Sequence, residues 1–176
     1  MKNVLLTGQP GTGKTTIIKN VLAYIKTPAG GFYTQEIRQG GVRVGFEIVT
    51  LKGEKAPLAH ANVKSPYKVG NYGVIAENID RVAVASLKDA LKENNLIVID
   101  EIGKMELFSE EFKKTVISCL DSDNIVLGTV TEANIPFAEE VSKRDDVHLI
   151  YLSAKNRNQV AEDLNEAIWE LVKETL

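Results

Sequence analysis

The feature that most constrains the fold is the run Gly8-Gln9-Pro10-Gly11-Thr12-Gly13-Lys14-Thr15, which matches the pattern G-x-x-x-x-G-K-[ST] in full. It follows the apolar segment 3–7, whose lack of polar alternation is typical of a strand buried on both faces. Apolar residues then recur at helical spacing, at Ile17, Ile18, Val21, Leu22 and Ile25. Pro28 ends that pattern. The chain is therefore predicted to open as strand, loop and helix.

This loop has the composition of a phosphate-binding loop. Glycines let the backbone curl so that successive N–H groups point at a phosphate, and the following helix adds the positive end of its dipole. Lys14 is expected to reach the β- and γ-phosphates, and the Thr15 hydroxyl to coordinate Mg²⁺ as cofactor. The alternative is a glycine-rich turn without a ligand. We predict that a nucleoside triphosphate is bound by Gly8, Gln9, Pro10, Gly11, Thr12, Gly13, Lys14, Thr15 and Thr16.

Strands and helices alternate along most of the remaining chain. Further strands are predicted from apolar runs at residues 96–99, 125–130 and 147–152. Four further helices are predicted. The first includes Val82 and Leu91 and ends at Asn94-Asn95, and the second begins after an N-cap at Ser109. The third begins near Pro136, and the last includes Val160 and Leu171. This order predicts an α/β fold in one domain over residues 1–176, with a mainly parallel sheet covered on both faces.

One region breaks this alternation. Residues 31–39 and 42–51 are two β-rich segments on either side of Gly40-Gly41, a dipeptide suited to a tight hairpin turn. We expect this hairpin to form an antiparallel extension of the sheet or a flap over its edge. Residues 52–72 contain two prolines and several Gly and Asn, so they are predicted to be mostly loop.

A second motif is the run Leu96-Ile97-Val98-Ile99-Asp100-Glu101. A run of four apolar residues followed by an acid is typical of a Walker B strand. This pattern is a strong signal only when a phosphate-binding loop lies upstream. Ligands of open α/β sheets bind at the carboxyl ends of the strands. Asp100 is therefore expected to lie beside the phosphate-binding loop and to hold Mg²⁺ directly or through water.

The residues that follow Asp100 bear on the reaction. Glu101 is placed to activate a water molecule in line with the γ-phosphate, although it could also be a solvated carboxylate at a helix start. The Gly103 N–H is expected to bind the γ-phosphate. Lys104 is either a further electrostatic contact or a surface lysine.

Two arginines outside the loop are candidates for phosphate or base contacts. Arg38 lies on the predicted hairpin and could act as an arginine finger within the chain, or it could pair with Glu36 at the strand edge. Arg157 follows the last predicted strand. It could contact the base or the phosphates, or support the start of the final helix.

Composition narrows the class of protein. The net charge of −3 and the wide spacing of the arginines argue against a nucleic-acid coat. No apolar run approaches the roughly 20 residues of a membrane helix, and segment 3–7 is too short for a signal-peptide core. The single cysteine excludes an internal disulfide and fits a reducing compartment. We expect a cytoplasmic monomer whose partners are nucleoside triphosphates, without a membrane or nucleic acid.

The motifs together resemble those of the THEP1 family of nucleoside-triphosphatases, to which an animal cancer-related nucleoside-triphosphatase is similar. The resemblance rests on residues 8–16, on Gly31-Phe32-Tyr33-Thr34-Gln35-Glu36-Ile37-Arg38, and on Asp100-Glu101-Ile102-Gly103-Lys104-Met105-Glu106-Leu107. It implies an additional-strand (RecA-like) P-loop fold and Mg²⁺-dependent hydrolysis of nucleoside triphosphates with little base preference. The sequence departs from the family pattern at Asn71, because a basic residue is expected at that position.

Three other functions are known for chains with a phosphate-binding loop. A GTPase is disfavoured because N-K-x-D, the guanine-reading motif, is missing, although Ser153-Ala154-Lys155 resembles a GTPase segment. A nucleotide or nucleoside kinase usually needs an arginine-rich lid, and no arginine cluster exists, but the 52–72 loop could admit an acceptor. A slow nucleotide-dependent switch that acts on a partner is the third alternative.

Overall fold

Across residues 1–93 and 96–175, which the computed structural model describes, nine strands form a single sheet. The strands are β1 (Asn3–Thr7), β2 (Ala29–Gln39), β3 (Val42–Thr50), β4 (Lys55–His60), β5 (Lys68–Val69), β6 (Tyr72–Val74), β7 (Leu96–Ile102), β8 (Val126–Val130) and β9 (Val147–Tyr151). Their order in the sheet is β5-β6-β4-β3-β2-β7-β8-β1-β9. The neighbours from β2 to β9 in this order pair in parallel.

Helices cover both faces of this sheet. They are α1 (Lys14–Ile25), α2 (Ala76–Asn78), α3 (Ala85–Glu93), α4 (Glu110–Asp121), α5 (Pro136–Ser142) and α6 (Arg157–Thr175). A π-helical segment, Ile79–Val84, joins α2 to α3, and a 3₁₀ turn, Glu106–Phe108, precedes α4. None of the helices described in residues 1–93 and 96–175 is both long and apolar enough to span a bilayer.

The position of β8 identifies the class of fold. β8 lies between β1, which precedes the phosphate-binding loop, and β7, which carries the second motif. An inserted strand at this place is the defining feature of the additional-strand type. The predicted three-layer α/β/α fold with a mainly parallel core and an antiparallel extension is therefore confirmed.

The central strands are buried on both faces, which explains their uninterrupted apolar sequences. In β1, Val4 and Leu6 pack in the cluster that contains α1 and α6, whereas Leu5 packs on the opposite face with α3 and α4. β7 alternates in the same way, with Val98 on the first face and Ile99 on the second. Two cores thus hold one sheet between them.

The start of α4 follows the capping prediction. The Ser109 side chain accepts a hydrogen bond from the Phe112 N–H at 3.0 Å, and Glu110 and Glu111 occupy the first turn. The Ser109 hydroxyl also donates to the Asp80 carboxylate in the π-helical segment. This cap ties the end of the β7–α4 connection to the neighbouring helix.

The hairpin is an extension of the sheet, as one of the two expectations had it. β2 pairs in parallel with β7 over residues 29–32 and in antiparallel fashion with β3 over residues 32–39. Gly40 and Gly41 form the turn with φ of 57° and 78°, a conformation that favours glycine. Residues 33–39 therefore extend past the last paired residue of β7.

The prediction that residues 52–72 are mostly loop holds for the residues outside strands, which are the larger part of the segment, but it missed the strands themselves. β4 and β5 lie within this segment, and β6 begins at its end. Ala56, Leu58 and Ala59 are buried because β4 pairs with β3, a tertiary contact that outweighs the local turn-forming residues. Pro57 is tolerated because it lies where the register between β3 and β4 shifts.

The helix predicted through Val82 and Leu91 exists, but it begins earlier and includes the π-helical segment. A π-helical turn contains an additional residue, and apolar spacing alone does not reveal it. The predicted end of this helix at Asn94-Asn95 lies outside the described residues.

Gly31 is the glycine at which a side chain is least compatible with the sheet. Its φ is 103°, and a Cβ atom there would lie 2.1 Å from the Val98 carbonyl oxygen on the paired strand. We expect Gly31→Ala to lower the free energy of unfolding by more than about 3 kcal/mol, because strain and a backbone clash combine. Urea unfolding would measure the loss.

Gly53→Ala is the matched control. Gly53 has a similar φ of 94°, but a Cβ atom there would meet nothing within 4 Å. Its substitution should cost only about 1–2 kcal/mol, the strain of the backbone conformation alone. Equal losses in the two variants would contradict the role of the β2–β7 contact.

Candidate functional site

Three segments meet at the carboxyl edge of the parallel strands. The phosphate-binding loop leaves β1, Asp100 lies near the end of β7, and Thr129 lies near the end of β8 between them. The register pairs Leu6 with Thr129 and Ile99 with Gly128, so the three ends are level. The topology therefore brings the two sequence motifs to one place.

Glycine conformations shape the loop. Gly11 and Gly13 have φ of 79° and 94°, and a Cβ atom at either position would meet nothing within 4 Å. Gly8 has a φ of 146°, and a Cβ atom there would lie 2.3 Å from the Leu152 carbonyl oxygen. Gly8 is thus required for close approach to the end of β9, whereas Gly11 and Gly13 are required by backbone conformation.

Lys14 begins α1 and folds back over the loop. Its Nζ donates to the Gly8 carbonyl at 2.8 Å and to the Gln9 carbonyl at 3.0 Å. The Thr12 hydroxyl donates to the same Gln9 carbonyl at 2.9 Å. The ammonium group is therefore held at the concave side of the loop by weak neutral acceptors, which a phosphate oxygen could replace.

Asp100 is the most constrained acid at this edge. It is 2% exposed, and its two oxygens accept hydrogen bonds from the hydroxyls of Thr15 at 2.6 Å and Thr129 at 2.7 Å. Burial raises the pKa of Asp100, while the two hydroxyls and the charge of Lys14 oppose this rise. The structure thus joins α1, β7 and β8 through one carboxyl group.

The oxygen atoms of Thr15 and Asp100 fit a magnesium ion. Mg²⁺ prefers oxygen ligands and is commonly held by one or two protein groups together with water and substrate phosphates. A hydroxyl and a carboxylate that already lie 2.6 Å apart supply that kind of donor set. Among residues 1–93 and 96–175, no three His, Cys, Asp or Glu side chains are grouped to hold a metal.

Glu101 lies within β7, largely shielded from solvent, so the alternative of a solvated carboxylate at a helix start does not describe it. Burial, and then the neighbouring charge of Asp100, raise the pKa of Glu101, whereas Lys14 lowers it. Its Oε1 lies 2.2 Å from where a Cβ atom on Gly103 would be. Glycine at position 103 therefore leaves the space that the Glu101 carboxyl group occupies.

The other predicted residues of this segment differ in environment. Gly103 is buried, and its carbonyl accepts a hydrogen bond from the Leu107 N–H at 3.0 Å, which closes the turn after β7. Lys104 is exposed, in keeping with the surface-lysine alternative. The turn therefore presents Glu101 and Gly103 together and directs Lys104 to solvent.

Two buried residues of this region were not predicted as site residues. Thr129 could have been found, because it is a hydroxyl residue near the carboxyl end of a predicted parallel strand. Glu106 gave no such signal. Its side chain is buried only because the 3₁₀ turn after β7 folds back toward Glu101.

Arg38 lies near the tip of the hairpin, on the part of β2 that extends past β7. Its guanidinium forms an ion pair with Glu36 at 2.7 Å and donates to the Gly41 carbonyl at 2.9 Å. This is the strand-edge pairing that was the alternative to an arginine finger. A contact between Arg38 and phosphate stays a prediction.

Arg157 is exposed at the first position of α6. The loop before it is held by Asn156, whose amide oxygen accepts from the Ser153 N–H at 2.8 Å and whose amide nitrogen donates to the Tyr151 carbonyl at 2.8 Å. This loop directly follows Leu152, which touches Gly8. The structure therefore places the Arg157 loop beside the phosphate-binding loop.

A further lysine approaches the same edge from α1. The Lys19 Nζ lies 4.2 Å from the centre of the Tyr33 ring on β2, and its charge helps lower the pKa of Asp100. The cation–π contact links α1 to the first residue of β2 beyond its pairing with β7.

Comparison with known proteins gives a consistent result. The family model described as NTPase matches residues 3–165. The nucleoside-triphosphatase THEP1 of Thermotoga petrophila is 45% identical over 92% of this chain and 89% of its own length. The human cancer-related nucleoside-triphosphatase is 37% identical over 93% of this chain and 94% of its own. The crystal structure of THEP1 from Aquifex aeolicus superposes with a TM-score of 0.84 at 34% identity, covering 93% and 96% of the two chains.

Because Asp100 is buried, its ionised form lowers the free energy of unfolding. Because its folded pKa lies above the value of about 3.9 in unfolded chains, the unfolding free energy falls as the pH rises through that window. Asp100→Asn should therefore raise the metal-free unfolding free energy at pH 7 by about 1 kcal/mol. Urea unfolding at pH 7 and pH 3.5 would test this, since the gain should vanish at the lower pH. A gain of equal size at both pH values would contradict it.

Proposed function

This chain belongs to the NTPase family, and from that membership we propose that it hydrolyses nucleoside 5′-triphosphates to the diphosphate and inorganic phosphate with Mg²⁺ at the site described above. The family relationship supports the hydrolase class. The residues that carry the reaction are inferred from the geometry of this chain.

One observation carries the assignment of residues. The Thr15 hydroxyl and the Asp100 carboxylate, 85 positions apart in sequence, form a hydrogen bond of 2.6 Å. This contact brings the end of the phosphate-binding loop to the end of β7, where Glu101 follows. A triphosphate held by the loop therefore has its terminal phosphate next to both acids.

The phosphates are bound by the loop and by Lys14. Backbone N–H groups of residues 8–15 and the start of α1 attract the anionic phosphates. Lys14 exchanges its two carbonyl acceptors for phosphate oxygens, which are stronger partners for an ammonium group. The same charge stabilises the negative charge on the γ-phosphoryl group in the transition state.

Thr15 and Asp100 are the residues that hold the metal. Mg²⁺ when bound neutralises charge on the β- and γ-phosphate oxygens. Thr129 keeps Asp100 in a fixed orientation through its own hydroxyl. Thr129 binds one oxygen of Asp100 and Thr15 binds the other. The Thr129 contact therefore limits the movement of Asp100 when its other oxygen exchanges Thr15 for the metal.

Glu101 orients the attacking water. Water oxygen bonds to the γ-phosphorus as the bond from phosphorus to the β–γ bridging oxygen breaks, and a water proton passes to Glu101 or to the released phosphate. Burial raises the pKa of this carboxyl group above that of an exposed glutamate. A more basic carboxylate is a better proton acceptor at neutral pH.

A broad tolerance for the base is part of the proposal. The loop after β9 lies beside Gly8, but both ends of the Asn156 amide are bound to Ser153 and Tyr151. These contacts leave the Asn156 amide with at most one N–H for reading a base edge. Arg157 is exposed there and can stack on any base, a contact that does not depend on base identity.

Glu101→Gln tests the proposed function. We expect wild type to release phosphate from ATP, GTP, CTP and UTP with kcat/KM values within about 10-fold of one another. The Gln variant should bind these nucleotides normally but turn over at least about 100-fold more slowly, since Gln cannot accept the proton. Steady-state phosphate release with and without Mg²⁺ provides the measurement. Turnover at the wild-type rate in the Gln variant would show that Glu101 does not activate the attacking water.

Lys14→Ala should act on binding as well as on turnover. The lysine contacts phosphates in the ground state, so its loss should weaken nucleotide affinity by about 10-fold or more. Titration with a fluorescent triphosphate analogue would measure the dissociation constant. Lys19→Ala is the comparison within the same helix, because Lys19 stacks on Tyr33 and does not reach the loop carbonyls. An unchanged affinity in Lys14→Ala would contradict the assignment.

A further inference from the structure

Glu106 is the buried acid that the mechanism above does not use. It is only 4% exposed, although a glutamate is rarely buried without a specific partner. It lies on the 3₁₀ turn Glu106–Phe108, five residues after Glu101. The position is set by local hydrogen bonds, from the Leu107 N–H to the Gly103 carbonyl at 3.0 Å and from the Ser109 N–H to the Glu106 carbonyl at 3.1 Å.

The residues on either side of Glu106 are packed or hydrogen-bonded. Leu107 is buried in the core on the α3 and α4 face, and Ser109 caps α4 while it donates to Asp80. The Glu106 backbone is therefore held on both sides by packed residues. Such anchoring keeps the side chain in one place, which is the requirement for a residue that orients another.

Gly103 joins the two glutamates. The Glu101 Oε1 occupies the space where a side chain at position 103 would begin. The backbone N–H groups of Gly103 and Glu106 oppose the rise in the pKa of the Glu106 carboxyl group, and the Leu107 N–H closes the Glu106 turn onto the Gly103 carbonyl at 3.0 Å. Glu101 and the Glu106 turn thus meet at the same glycine.

The charges around Glu106 are also informative. Burial, and then the nearby Glu101, raise the pKa of Glu106 well above the usual range of a glutamate, and Asp100 adds to this rise. A protonated Glu106 can donate a hydrogen bond in a region that otherwise holds two acids. A neutral donor there does not repel Glu101, whereas a second buried charge would displace it.

We propose that Glu106 is a positioning residue for hydrolysis, whose buried carboxyl group holds the Gly103 backbone and thereby fixes the Glu101 carboxyl group in the orientation that water activation requires. This inference rests on the proposed function, because it assigns Glu106 a task only if Glu101 activates water. It concerns orientation, since Glu106 itself does not touch the substrate.

The test compares two substitutions at this position. Glu106→Met keeps the length of an unbranched side chain but cannot hydrogen-bond, whereas Glu106→Gln keeps both shape and hydrogen bonding. We expect kcat of Glu106→Met to fall about 10- to 100-fold, because a misplaced catalytic group loses that much. The KM for ATP should stay within about 3-fold of wild type, and Glu106→Gln should retain kcat within about 3-fold.

Steady-state phosphate release and thermal unfolding would be measured on each variant of the full chain. Glu110→Gln is the matched control, because Glu110 is a nearby glutamate whose side chain is 78% exposed. Wild-type kcat in Glu106→Met would overturn the inference, as would an equal loss in Glu106→Gln. A fall in kcat with a proportional rise in KM and a lower unfolding midpoint would indicate a purely structural role and would also overturn it.

The same experiment separates this inference from the proposed function. If Glu101→Gln is inactive and Glu106→Met is fully active, Glu101 keeps its role and only the positioning role of Glu106 fails. If Glu101→Gln turns over at the wild-type rate, the proposed water activation fails, and the positioning role fails with it. Loss in Glu101→Gln and Glu106→Met together, with Glu106→Gln active, supports both.

Discussion

The Asp100 carboxyl group is the interaction on which the site depends. It is buried at the edge of the sheet and accepts hydrogen bonds from Thr15 on α1 and from Thr129 on β8. A carboxylate in this position is unfavourable unless such donors surround it. The two hydroxyls therefore stabilise an acid that the fold would otherwise reject, and in doing so they hold the phosphate-binding loop against β7.

The inserted strand β8 gives this arrangement its dimensions. Neighbouring strands lie about 4.8 Å apart, so β1 and β7, separated by β8, are about 10 Å apart. That distance separates the strand end that carries the loop from the strand end that carries Asp100 and Glu101. The acids near this second strand end are shielded from water, and burial raises the pKa of each of Asp100, Glu101 and Glu106. Burying these acids lowers the stability of the fold but shifts their pKa values, a common feature of catalytic centres.

Predictions from sequence were accurate where the signal was local. β1, the loop and α1 follow from an apolar run, a glycine pattern and helical spacing, and the Ser109 cap follows from a single hydroxyl before two acids. β4, within the segment 52–72, was missed because it is stabilised by pairing with β3, which no short window contains. Glu106 was missed because its importance depends on which side chains surround it, whereas Thr129 carried a local signal, a hydroxyl near the carboxyl end of a predicted strand.

The sequence by itself was enough to predict a phosphate-binding loop at residues 8–15, because glycine conformation and the Lys-Thr pair are properties of consecutive residues. It also placed Asp100 and Glu101 near the carboxyl end of a buried strand. Only the tertiary structure decided that Thr15 and Thr129 meet at Asp100, that Glu106 is buried beside Glu101, and that Glu36 and the Gly41 carbonyl engage Arg38. The physical reason is that burial and hydrogen bonding between distant residues depend on how the strands are ordered in the sheet, which local sequence does not encode.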